Sequence, residues 1–250
     1  ISDWMNDETS HSFSQNQYVI IHCLEPGKLK ESITAAGYDY KEMQNLKVTG
    51  EITTEDFTFM KNEMIGLKHL NLHDVRVKHA FLYSAFFDSS DHFYYSDDAI
   101  PSGGFSSNKT IRSVVLPSKL KIIGREAFSG MGLMNSTLII PEGVKRIYEG
   151  AFQYNDFNNV ELVLPQTIDS LGGFGHCNWK CEFNLSDNIK YWGGIDGCPN
   201  FYGTFHIPSQ LKQWPSISGL GSNGSFVGEV EIPQGIKSIN GLDVSFKKRP

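Results

Sequence analysis

The sequence predicts an α/β solenoid, with one parallel β-sheet of short strands along one side, turns and short helical segments on the other, and an α/β cap at its N-terminal end. Three observations predict it. First, a Leu/Ile-Pro pair recurs at Leu116-Pro117, Ile140-Pro141, Leu164-Pro165, Ile207-Pro208 and Ile232-Pro233, in steps of 24, 24, 43 and 25 residues from proline to proline. The step of 43 is two coils, with Leu185-Ser186 in place of the missing pair, so anchors fall at 117, 141, 165, 186, 208 and 233. Second, other positions fall into register with the anchors. Val114, Leu138, Leu162, Phe183, Phe205 and Val230 lie three residues before them, and Leu120, Val144, Ile168, Ile189, Leu211 and Ile236 three after. Ile123, Ile147, Leu171, Trp192, Trp214 and Ile239 lie six after. Every one is large and apolar. Third, 250 residues that are 40% hydrophobic and 20% charged can bury a core, and four cysteines are too few for a disulfide scaffold.

Taken along the chain, the elements are as follows. Tyr18–Cys23 reads as a strand, and Lys28–Ala36 as a short helix closed by Gly37. Leu46-Lys47-Val48 and Leu70-Asn71-Leu72 repeat a strand pattern 24 residues apart. Between them Thr54–Ile65 reads as a helix with Thr54 as N-cap and Gly66 as its stop. An irregular aromatic stretch follows (Phe81, Tyr83, Phe86, Phe87, Phe93, Tyr94, Tyr95), and the pattern resumes at Ile100…Phe105, which matches Ile123…Phe128. Within each later coil, apolar residues alternate with polar or mixed ones before the proline, as in a strand with one buried face. Proline then ends the strand because it cannot donate to the ladder. Coils of about 23 residues cannot each enclose their own apolar face, so stacking must bury it. The expected divisions are an N-terminal cap over 1–45, first coils with the aromatic insertion over 46–99, and regular repeats with the C-terminal end over 100–250.

Two sets of residues carry a resemblance. Leu67-Lys68-His69-Leu70-Asn71-Leu72 has the Leu-x-x-Leu-x-Leu spacing of leucine-rich repeats. The units Leu116-Pro117…Leu120-Lys121-Ile122-Ile123-Gly124-Arg125-Glu126-Ala127-Phe128 and Ile140-Pro141…Val144-Lys145-Arg146-Ile147-Tyr148-Glu149-Gly150-Ala151-Phe152 resemble the BspA-like type. The resemblance implies a horseshoe-like leucine-rich repeat solenoid of the kind found in surface and secreted proteins of gut and oral anaerobic bacteria. It further implies an exported protein, extracellular or on the outer surface, with a lipid anchor upstream of this chain. Such a protein attaches to host or bacterial surface proteins and uses no cofactor. The first 16 residues contain no apolar signal core, so the export signal is expected outside this chain. Coils four and five lack the Ala-Phe pair, and Trp192 and Trp214 take the isoleucine position there.

In a stacked solenoid the outward strand positions form rows about 4.8 Å apart. The row two before the anchor reads Lys47, Asn71, Val115, Ile139, Val163, Asn184, His206, Glu231, and the row four before includes Glu161, Glu182 and Glu229. The concave face is therefore expected to carry an apolar patch of Val115, Ile139 and Val163, bordered by Glu161 and Glu182. Asn184, His206, Glu229 and Glu231 continue it. Strand propensity alone also places valine and isoleucine there. Tyr94, Tyr95 and Trp179 are expected as exposed rings for glycan contact. Lys121, Lys145, Lys190, Lys212 and Lys237 form a like-charged row, read as a solvated outer edge rather than an anion site. Cys177 and Cys198 share one offset in successive coils; a buried apolar role and a disulfide both fit.

Other classes have little support. The net charge of −6 is wrong for a general nucleic-acid binder. It is uneven, with 16 acidic and 8 basic residues over 1–100 against 12 and 14 over 101–250. No apolar run approaches the ~20 residues of a membrane-spanning helix. Gly-x-Ser-x-Gly and Gly-x-x-x-x-Gly-Lys-Ser/Thr are absent, and His69 and His73 stand in a strand and turn rather than on one helix face. The expectation is a non-enzymatic chain with neither metal nor cofactor that recognises a protein through its concave sheet, the alternative being a glycan-binding or scaffold module of a bacterial envelope assembly.

Overall fold

The computed structural model describes residues 18–84, 92–131, 138–155, 162–177, 185–197, 205–211, 216–220, 230–231 and 242–244. Coils stack so that each strand lies beside its counterpart one repeat away. The first sheet runs β1 (Val19–Cys23), β2 (Asn45–Ile52), β3 (His69–Asn71), β8 (Ser113–Val115), all parallel, with β4 (Val75–Val77) beside the far half of β2. The same coil position recurs as the parallel pairs β10 (Leu138–Ile139) with β12 (Leu162–Val163), and β17 (Phe205–His206) with β19 (Val230–Glu231).

A second parallel sheet runs β7 (Ala99–Ile100), β9 (Ile122–Ile123), β11 (Arg146–Ile147), β13 (Ser170–Leu171), β15 (Tyr191–Trp192). The repeat pattern predicts turns and short helical segments on that side. Strands form instead because the residue six after each anchor is Ile, Leu or Trp, and each stacks on the same position of the next coil. Ile100, Ile123, Ile147, Leu171 and Trp192 make one buried column. In the later coils a third parallel sheet appears, β14 (Phe174–Gly175), β16 (Gly194–Asp196), β18 (Ser216–Leu220), β20 (Leu242–Val244). β5 (Ala80–Ser84) and β6 (His92–Ser96) form an antiparallel hairpin apart from these sheets.

The core is a ladder of rings. Phe105, Phe128, Phe152 and Phe174 are fully buried and stack in turn at 5.6, 5.5 and 6.1 Å between centroids. Phe57 closes the ladder edge-on against Phe105 at 5.3 Å. Phe57 sits on α2 (Thr54–Asn62), so the cap helix seals the N-terminal end of the core, as a solenoid end requires. Coils four and five do replace the ring: Ile195 is in register with Phe174. Trp192 is buried in the isoleucine column as expected, and Trp214 lies outside the described residues.

The cap is tied by one buried carboxylate. Asp56 accepts hydrogen bonds from the backbone N–H groups of Gly27 (2.7 Å), Leu29 (2.9 Å) and Thr53 (2.9 Å). It thereby satisfies the first donor of α1 (Leu29–Ala35), the Gly27 donor just ahead of that helix and the N-cap donor of α2 together. The N-cap is Thr53 rather than Thr54, because Asp56 at the third helical position reaches back to Thr53 and not to its neighbour. Both helices are shorter than their sequence patterns: α1 ends at Ala35 and α2 at Asn62.

Candidate recognition surface

The outward face of the first sheet is built by strand alternation. In β3 and β8 the middle residues Leu70 and Val114 point into the core, so His69, Asn71, Ser113 and Val115 face outward. Register assembles two rows, Ile20–Lys47–Asn71–Val115 and Asn45–His69–Ser113. Ile139 occupies the Val115 position of the next coil, and Val163 is in backbone register with Ile139.

The row is apolar at its ends and internally paired in the middle. Ile20 is 63% exposed, Val115 is half-buried and Ile139 is 45% exposed. Between them Lys47 is buried, and its ammonium lies 2.7 Å from the Asp74 carboxylate. The Lys47 hydrogen bond, with a second from His73, holds the Asp74 carboxyl below its ordinary pKa. Asn71 is also buried, and its side-chain oxygen accepts the His73 N–H at 2.9 Å.

In the second row His69 Nδ1 lies 2.8 Å from Ser113 Oγ. Burial, with the positive Lys68 beside it, lowers the His69 pKa, so the ring stays neutral at pH 7. Asn45, His69 and Lys68 also line an open cleft of about 630 Å³, together with Val19, Tyr38 and Met43 and the polar Asp39, Glu42 and Gln44. The cleft adjoins the N-terminal ends of β2 and β3, and sequence reading did not find it. Tyr38 and Met43 carry no repeat register that marks them.

The expected site residues are therefore distributed unevenly. Val115 and Ile139 face outward as neighbours, and Val163 holds the matching strand position. His206 and Glu231 are register partners in β17 and β19. Glu161, Glu182, Asn184, Glu229 and Trp179 lie outside the described residues.

The aromatic insertion corrects one expectation. β5 and β6 pair Phe81 with Tyr95, Leu82 with Tyr94, and Tyr83 with Phe93. Alternation sends Leu82 and Tyr94 inward and the other four rings outward. Tyr95 is 67% exposed as expected, but Tyr94 is half-buried with its hydroxyl against that of Tyr148. Burial first, and then this bond, raises the Tyr94 pKa. Outside, Phe93 stacks between Tyr83 (4.9 Å) and Phe81 (5.9 Å), while Tyr95 stands at 64° to Phe81. Arg125 lies over the Tyr83 ring at 4.9 Å.

Elsewhere the lysine row is a backbone ladder. The N–H of Lys145 donates to the Lys121 carbonyl (2.9 Å), Asp169 to Lys145 (3.0 Å) and Lys190 to Asp169 (2.8 Å). All three lysines are exposed, whereas Lys212 and Lys237 lie outside the described residues. The ladder begins at Asp98, a buried carboxylate that takes two hydrogen bonds from Arg76 (2.9 and 3.2 Å) and lies 3.4 Å from Lys121. Cys177 is fully buried with its sulfur 3.3 Å from the Phe152 carbonyl oxygen, and Cys198 lies outside the described residues. Among the described residues no three His, Cys, Asp or Glu side chains converge to hold a metal ion. No helix among them is long and apolar enough to cross a membrane.

A family model described as a BspA type leucine rich repeat region matches six copies across residues 98–218. No curated protein matches the chain significantly.

Proposed function

From the premise that this chain is a BspA-like leucine-rich repeat protein, we propose that it recognises a protein of a host or bacterial surface through the outward face of its first sheet. The repeat family is a protein-interaction module. The finer reading places the contact on Val115, Ile139 and Val163, with His206 and Glu231 further along the solenoid. The setting is the outer surface of a bacterium or its surroundings, and the role is adhesion without catalysis.

The observation that carries the reading is Ile139. A β-branched side chain in a two-residue strand is 45% exposed beside half-buried Val115, with Val163 in register on its other side. The polar residues that could have solvated the same row, Lys47 and Asn71, are instead buried and bonded internally. An apolar strip with polar neighbours already satisfied suits a desolvated contact centre.

The test is binding of the purified chain to a panel of extracellular-matrix and bacterial surface proteins, beside the variant Val115→Ser/Ile139→Ser/Val163→Ser. The expected result is a saturable protein partner whose affinity falls at least about tenfold in the variant, with unfolding shifted far less than a core truncation would shift it. Equal binding by both chains removes the reading.

A further inference from the structure

The outer face of the β5–β6 hairpin is a second surface whose composition departs from what its position requires. A two-stranded ribbon lying on a solenoid needs one apolar face, and this one already has it: Ala80 and Leu82 are fully buried and Tyr94 packs on Tyr148. The opposite face faces water, where alternation ordinarily puts polar residues. All four outward positions in the two register pairs are aromatic instead, and Phe93 and Tyr95 are each more than two-thirds exposed. No packing within the described residues explains rings at 68% and 67% exposure.

The ribbon is also fixed rather than loose. The Phe81 N–H donates to Thr54 Oγ1 (2.8 Å), the Tyr83 N–H donates to Ser102 Oγ (2.9 Å), and the Ser102 N–H donates to the Phe81 carbonyl (2.9 Å). A ligand therefore meets an arranged face and does not have to order it.

We propose that this face binds a neutral carbohydrate, with Tyr95 as the stacking ring and Phe93 as the adjoining apolar wall. Size comes first. Five-residue strands about 3.4 Å per residue and about 4.8 Å apart give a face of roughly 17 by 10 Å, or about 170 Å². A specific protein interface needs about 800 Å² on each partner, whereas two or three sugar rings fit this area. Charge is the second reason. The cations beside the rings are already compensated: Lys78 lies 3.1 Å from Asp97, and Arg125 lies 3.3 Å from Glu126 and 3.8 Å from Glu149. With Glu51 also 3.9 Å from Lys78, these two cations stand against four carboxylates, so no surplus of positive charge favours an anionic ligand.

The third reason is chemical. A pyranose presents an apolar C–H face, which an aromatic ring accepts, and a rim of hydroxyls that need fixed donors and acceptors. Arg125 with Glu126 and Glu149 supplies such a set beside Tyr83, at one end of the strip. Lys78 with Asp97, close to Tyr95 in the chain, supplies one at the other. The surface is distinct from the sheet row of Val115 and Ile139, so the two readings fail separately.

The experiment is calorimetric titration of the full chain with neutral tetrasaccharides of glucose, mannose, galactose and N-acetylglucosamine. At least one is expected to bind saturably. Tyr95→Ala and Phe93→Ala should each weaken it at least about tenfold, and Tyr95→Phe, which keeps the ring, by less than about threefold. Ile139→Ser should leave it unchanged, and matched thermal unfolding of all variants establishes that they are folded. Absence of binding by every tetrasaccharide at ~10 mM overturns the proposal. So does binding indifferent to Tyr95→Ala and Phe93→Ala, or silence toward sugars while those variants abolish binding of a protein.

Discussion

Phe128 is in contact with a ring on each side, Phe105 at 5.6 Å and Phe152 at 5.5 Å, and its side chain is fully buried. Truncation there opens a cavity in the middle of the ladder, because coils held by their own backbone bonds cannot close on it. Phe128→Ala is expected to cost about 3–5 kcal/mol of unfolding free energy, measured by urea denaturation. His69 is a histidine whose charge state is set by its place in the sheet. Its folded pKa lies below the ordinary 6.5 because burial and Lys68 disfavour the imidazolium. In the unfolded chain it binds a proton more readily. Its contribution to stability is therefore fully present above pH 6.5 and is lost as pH falls through the lower folded value. An NMR titration should place the His69 midpoint below 6.5, and Lys68→Gln should move it upward. A midpoint at or above 6.5 contradicts the burial described for the Asn45–His69–Ser113 row.

At the scale of elements, packing limits where a side chain can exist at all. A Cβ on Gly172 would stand 2.4 Å from the Tyr148 backbone carbon, far inside contact distance. Gly172→Ala is therefore expected to destabilise by roughly 2 kcal/mol or more through a shift of neighbouring coils, read as a lowered midpoint in thermal unfolding. Sequence made the first sheet legible because apolar alternation and a terminating proline are both local signals. The second sheet was less so: a two-residue strand such as Ile122–Ile123 has no period of its own and exists through its neighbours. Phe174 shows the same limit. Phe128 and Phe152 follow their prolines by eleven residues, and Phe174 follows Pro165 by nine, since Gly172-Gly173 replaces the longer turn. It still joins the ladder, because stacking fixes space rather than sequence offset. Inside the hairpin the composition announced exposed rings, but which tyrosine turned inward depended on strand register. Tyr94 and Tyr95 are chemically identical, and only the Leu82–Tyr94 pairing separates them.

For the whole molecule, each coil stacks on its neighbours, while the β5–β6 hairpin reaches past one coil to Tyr148, so stability and surface are largely sums along one axis. Phe57 seals the start of that axis and Asp56 ties the two helices of the cap. Along it the second sheet shows exposed lysines with Asp169 set among them, while the first shows an apolar row whose polar members are bonded inward. The solenoid thus offers different chemistry on different sides, and recognition by the first sheet is the central claim. The direct measurement is amide hydrogen exchange across the full chain, free and saturated with a protein partner drawn from the matrix and bacterial surface panel. The account predicts slowed exchange concentrated in β3, β8, β10 and β12, and unchanged exchange in β9, β11 and β13. Protection confined to the second sheet, or to the β5–β6 hairpin, would contradict it.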